Sequence, residues 1–134
     1  MEQYVGLDVS QKLTHICVVD SQGKPMWQGK CPSSVGANAE TLHQRAPQAV
    51  RIGFESGPLS AWHYYGLKDL GFPAICIDAR HAKSALSVQI NKTDKNDARG
   101  IAELMRMGWY RAVAVKSFES HTIHAMLGVR FQLV

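Results

Sequence analysis

The run AVRIGFE at residues 49–55 is almost continuously apolar, the pattern of a strand covered on both faces. After SGP, the segment LSAWHYYGLKDL (59–70) carries apolar positions at Leu59, Trp62, Leu67 and Leu70, and Gly71 is placed to stop a helix there. PAICID (73–78) then reads as another strand. A strand, helix, strand series implies two parallel strands joined by a helical crossover, which restricts the fold to an α/β sheet with helices packed on it.

Ahead of this unit, YVGLDV (4–9) and THICVVD (14–20) are β-branched strands separated by a short turn, and a short strand around MWQGK (26–30) completes a meander. SSVGANAETLHQRA (33–46) reads as a helix capped by Ser33 or Ser34 and ended by Pro47. Beyond the crossover, 79–91 suggests a short helix and then a loop. Thr93 can cap a helix over about 94–107 whose inward stripe is Ala98, Ile101, Ala102, Leu104 and Met105, with Gly108 as its stop. YRAVAV (110–115) is a last strand or an extended link, and 117–133 begins a further helix that reaches Val134 without a stop signal, as in a truncated chain.

Asp8 ends the first strand and Glu55 ends the fourth. In sheets built with crossovers, ligands collect outside the carboxyl ends of the strands, so both acids point to a site rim. If the first and fourth strands lie side by side and parallel, the two become neighbours. A second pair comes from INKTDKNDARG (90–100), where Asp94 and Asp97 lie three positions apart. On a helix that spacing puts both on one face, about 5–6 Å apart at Cβ.

The surroundings of that pair are basic. Residues 1–79 hold six Lys/Arg against seven Asp/Glu, whereas residues 80–116 hold eight against three, so the net charge of +4 is a local patch. Such a patch suits a polyanion such as DNA or RNA, with Lys83, Lys92, Lys95 and Arg99 as candidate backbone contacts. Four carboxylates meeting at one point would oppose their own ionisation unless cations were bound. Mg²⁺, with Mn²⁺ able to substitute, takes hard oxygen ligands and in pairs stabilises both entering and leaving oxygens of phosphoryl transfer. Each acid also has a plainer role, since Asp8 can cap a turn, Glu55 can open a loop, and Asp94 and Asp97 can complement a helix dipole.

Other chemistries are poorly served. Cys17, Cys31 and Cys76 are odd in number and widely spaced, which argues for buried free thiols rather than a disulfide framework or zinc site. The six histidines form no metal-ligand spacing. No apolar run approaches the roughly 18 residues of a membrane span and the N-terminus lacks signal-peptide features, so the expected location is cytoplasmic, with no membrane partner.

The order Asp8 in GLDVS, Glu55 in FESG and KTDKNDA with Asp94 and Asp97, preceded by HAKSALS (81–87), resembles the DEDD insertion-sequence transposases related to Piv-type DNA invertases and now known as bridge-RNA-guided recombinases. The resemblance covers nearly the whole chain. It implies an RNase H-like, RuvC-type mixed sheet flanked by helices over residues 1–115, with the four acids as a catalytic Mg²⁺ site acting on insertion-sequence DNA. It also implies a structured guide RNA, and a coiled coil beginning at 116–134 through which chains self-associate. A serine-bearing C-terminal domain belongs to the pattern too, and no serine among the 134 residues is assigned as that nucleophile. As a fragment, the chain is expected to bind metal and nucleic acid without completing recombination.

Two rivals remain at this stage. An actin-like or sugar-kinase ATPase half also opens with a strand, an aspartate and a meander, but it needs a second glycine-rich phosphate loop that FESGP does not supply. A non-catalytic nucleic-acid-binding module would use the basic patch and leave the acids structural.

Overall fold

The computed structural model describes residues 1–87 and 97–115. Expectations for Lys92, Thr93, Asp94 and Lys95, and for the helix at 117–133, lie outside the described residues. The elements run β1 (Gln3–Val9), β2 (Leu13–Asp20), β3 (Pro25–Pro32), α1 (Val35–Arg45), β4 (Ala49–Glu55), α2 (Ser60–Asp69), β5 (Ala74–Ile77), α3 (Ala79–Ser87) and α4 (Asp97–Met107).

Five strands form one sheet in the order β3-β2-β1-β4-β5. The first three make the antiparallel meander, and β1 pairs parallel to β4, which pairs parallel to β5. Two local devices set the hairpins. Ser10 Oγ donates to the Leu13 carbonyl across the first turn. In the second, the Asp20 carboxylate accepts from the Gln22 and Lys24 amides while Gly23 adopts φ +84°.

Side chains alternate across the sheet, so each strand feeds two cores. Val5, Leu7, Ile16, Val18, Ile52 and Phe54 face α1 and α2, where they meet Leu42 and Leu67. Tyr4, Cys17, Val19 and Ile77 face the other way, onto Ile101, Leu104 and Met105 of α4 and Ala82 of α3. Helix α1 begins at Ser34, whose hydroxyl accepts the Ala37 amide at 3.1 Å, the side-chain cap expected of serine. The helices α2 and α4 are followed by Gly71 and Gly108, both at positive φ.

All five residues of the expected α4 stripe are buried. The α2 stripe needs correction. Leu67 faces inward, but Trp62 is 61% exposed and Leu70 53% exposed, and the buried positions are Ala61, His63 and Leu67. The inward face follows the His63–Leu67 i, i+4 pair, and Gly66 lies where a Cβ would press on Val35 of α1. Close approach of α1 thus sets the rotation of α2 and turns the indole outward. Residues 110–115 form an extended link with a single bridge between Ile77 and Ala112.

Candidate active site

The parallel register of β1 and β4 pairs Leu7 with Phe54, and Asp8 and Glu55 are the next residue on each strand. Neighbouring strands lie about 4.8 Å apart, so the two acids stand side by side at the carboxyl edge of the sheet. Alternation also gives their face. Asp8 shares a side with Gly6, and Glu55 with Gly53. A Cβ on Gly6 would overlap the Ala98 carbonyl oxygen and Ala102 amide nitrogen, and one on Gly53 would strike Met105 Sδ at 2.5 Å. Both acids therefore emerge on the α4 face, and both are half-buried.

Helix α4 crosses that face with its N-terminus at the carboxyl edge. Ala98 and Ala102 lie over Gly6, Met105 lies over Gly53, and the Met105 carbonyl accepts from Arg51 Nη1 at 2.6 Å lower on β4. Asp97, the first residue of the helix, is thus directed to the end of the sheet that bears Asp8 and Glu55. An acid in a first turn is also favoured by the helix dipole. Asp8 and Glu55 thus come from two strands to one edge, and α4, which opens with Asp97, packs on the same face of the sheet; Asp94 lies outside the described residues. Lys83 and Arg99 are exposed, on α3 and α4.

Two residues at this edge escaped the sequence reading. His15 pairs with Asp8 across the β1–β2 hairpin, and counting the register back from the Ser10–Lys12 turn would have found it. Asp78, after β5, is a further strand-end acid. Its carboxylate accepts the His81 amide at 3.1 Å at the start of α3, and this backbone bond holds its pKa below the usual carboxylate value. Asp78 therefore acts as a helix cap.

On the opposite side of the same edge, a cleft of about 220 Å³ opens between the β1–β2 turn and the β4–α2 loop. Its lining includes Val9, Phe54, Glu55, Leu59 and His63. His63 is 3% exposed, and its Nδ1 lies 3.3 Å from the Leu59 carbonyl. Burial pushes the imidazole pKa down, against a smaller opposing pull from that carbonyl. The thiols are unsuited to nucleophilic work: all three cysteines are free and buried, and burial pushes Cys17 and Cys76 up.

No three His, Cys, Asp or Glu side chains among the described residues form a group that could hold a metal ion. The donor chemistry still suits Mg²⁺, which keeps several waters and needs only one or two carboxylates, and Asp8 and Glu55 supply adjacent hard oxygens. Among the described residues, no helix is long and apolar enough to cross a membrane.

Residues 5–134 match a family model of IS110-type DEDD transposases, described as a transposase. The transposase for insertion sequence element IS1111A of Coxiella burnetii (strain RSA 493 / Nine Mile phase I) is 28% identical over 131 residues, or 97% of this chain and 34% of the relative. The chain thus spans about a third of the length of the curated relative it matches. Among solved structures, Thermus thermophilus RuvC in complex with a Holliday junction substrate superposes with a TM-score of 0.59 at 14% identity, covering 84% of this chain and 100% of that one. A second Thermus thermophilus RuvC structure gives 0.57 at 16% identity, covering 83% and 99%. The five-stranded mixed sheet flanked by helices is accordingly a RuvC-type, RNase H-like fold.

Proposed function

The chain belongs to the IS110-type DEDD transposase family, and from that premise we propose that it carries a metal-dependent phosphoryl-transfer site for insertion-sequence DNA, built from Asp8, Glu55, Asp94 and Asp97. The observation that carries the reading is the convergence of Asp8 and Glu55, from adjacent parallel strands, on the sheet face where α4 opens with Asp97. Two strand-end acids that served only local roles would have no reason to share one edge and one face.

In this reading the carboxylates hold Mg²⁺, for which Mn²⁺ can substitute. When bound, the ion supplies Lewis acidity at a phosphodiester. The protein's own part is to fix the carboxylates on a rigid sheet and helix end, so that their geometry needs little reorganisation on reaching the transition state. Lys83 and Arg99, with Lys92 and Lys95, hold the phosphate backbone beside them and set the strand's position without reading its sequence. The Thermus RuvC structure with a Holliday junction supports branched DNA as the substrate class. The family resemblance supports a structured guide RNA as a further partner and self-association through the segment after residue 115.

Calorimetric titration with Mn²⁺ tests the proposal. The unmodified chain should bind, and Asp8→Asn or Glu55→Gln should each weaken binding by about tenfold or more, the scale seen when the shell of a metal site is disturbed. Equal affinity in all three proteins would return the acids to structural roles.

A further inference from the structure

The acids do not stand alone on their face of the sheet. Directly opposed residues of an antiparallel pair share one face, with Cβ atoms about 4.5–5.5 Å apart. Asp8 is opposed by His15 on β2, and His15 by Lys30 on β3. Glu55, Asp8, His15 and Lys30 therefore form one row across four neighbouring strands, in which Lys30 stands two strands, or about 10 Å, from Asp8. Both His15 and Lys30 are exposed.

Helix α4 adds a cation above the same half of the sheet. Arg99, Glu103 and Arg106 follow one another at i, i+4 and i+7, a single stripe of the helix. At the far end of the β2–β3 hairpin a Cβ on Gly23 would meet Glu103 Oε1 at 2.9 Å and Arg106 Nε at 3.0 Å, so this stripe faces the meander. Arg99 lies one turn nearer the acids. Burial pushes the Cys17 thiol up, and the charge of Arg99 is among the smaller influences that oppose it. Cys17 in turn is two residues beyond His15, on the same face of β2. The two arginines of the stripe are engaged differently. Glu103 neutralises Arg106 through hydrogen bonds of 2.8 and 3.2 Å. Among the described residues, His15, Lys30 and Arg99 take part in no ion pair.

We propose that His15 and Lys30, with Arg99 above them, form a track for the sugar–phosphate backbone that leads from the acids across β2 to the edge strand β3. The proposal rests on the nucleic-acid reading above and deepens it by giving the bound strand a direction: the phosphate at the acids is flanked, on the meander side, by phosphates that these three residues hold. Carboxylates alone would repel a polyanion, and uncommitted cations beside them offset that repulsion. Exposed donors set in a row suit contacts that position a backbone without reading its sequence.

The test measures binding of a fluorescein-labelled four-way DNA junction by anisotropy over a salt series, in a chelating buffer so that it does not depend on metal. The affinity of the unmodified chain should fall linearly with salt on logarithmic axes. Lys30→Gln should weaken binding by about tenfold and make that slope shallower by about 1, the signature of one lost phosphate contact. His15→Ala should weaken it by about threefold or more, the scale of one neutral hydrogen bond. Lys24→Gln removes the same charge from an exposed position at the far end of the same hairpin and should change little. All three side chains are exposed, so each variant should keep the fold, which circular dichroism checks. Equal effects of Lys30→Gln and Lys24→Gln, or unchanged affinity in His15→Ala, would overturn the track while the nucleic-acid reading stands. Absence of junction binding by the unmodified chain would strike both, and failure of Mn²⁺ binding alone would strike only the phosphoryl-transfer reading.

Discussion

Helices α4 and α2 lie on opposite faces of the sheet, and they relate to their sequences in opposite ways. In α4 the charged residues Arg99, Glu103 and Arg106 lie off the buried stripe of Ala98, Ile101, Ala102, Leu104 and Met105, so polarity alone separates inside from outside. In α2 the run AWHYYGL has no charge before Lys68, and its aromatic and imidazole rings point around the helix. Polarity then says little, and the rotation of α2 is set by contacts with α1 and the sheet. The comparison teaches that a helix is legible from its sequence to the extent that its outer face is charged. It also separates two kinds of feature: the acids under α4 announce themselves by type, and the cleft beside α2 does not.

The largest test of this contrast is the glycine socket under α4. Gly6→Leu should destabilise the fold by about 4 kcal/mol or more, because the new side chain would overlap helix backbone that cannot rotate away. Urea denaturation followed by circular dichroism measures it, and a small loss would mean that α4 can lift from the sheet. Next comes Leu67→Ala on the other face, expected to cost about 3 kcal/mol by the same assay, since Leu67 is fully buried in the α1–α2 core.

A subtler effect separates the helices by pH. The folded state holds the His63 pKa below its ordinary value of 6.5, so the unfolded chain binds more protons once pH falls toward that value. Stability from this group is intact above about pH 6.5 and declines as pH drops below it, with a slope no steeper than about 1.4 kcal/mol per pH unit for a single proton. Asp20 and Asp78, held low by backbone amides, add losses only in the more acidic range below their ordinary 3.8. The urea midpoint should therefore fall between pH 7 and 5.5 in the unmodified chain and stay level in His63→Phe. The smallest effect belongs to Trp62→Ala, expected within about 1 kcal/mol despite the size of the indole, because the ring faces solvent. A larger loss would revive the inward stripe that the sequence suggested.

What the sequence determined by itself was whatever depends on local pattern. The apolar AVRIGFE and the alternating strands fix where strands occur, Ser34, Gly71 and Gly108 bound helices, and the α4 stripe fixes which way that helix faces. The acids at Asp8 and Glu55 could be suspected because an acid that ends an apolar strand lies at a sheet edge. Only the tertiary structure decided what depends on pairs distant in the chain. The parallel β1–β4 register brings Asp8 beside Glu55, Gly6 and Gly53 admit α4 and bring Asp97 to the same end, and α1 turns His63 inward and Trp62 outward. The physical reason is that propensity and hydrophobic period act over a few residues, whereas register and helix rotation are chosen by steric fit between surfaces that no short window of sequence contains.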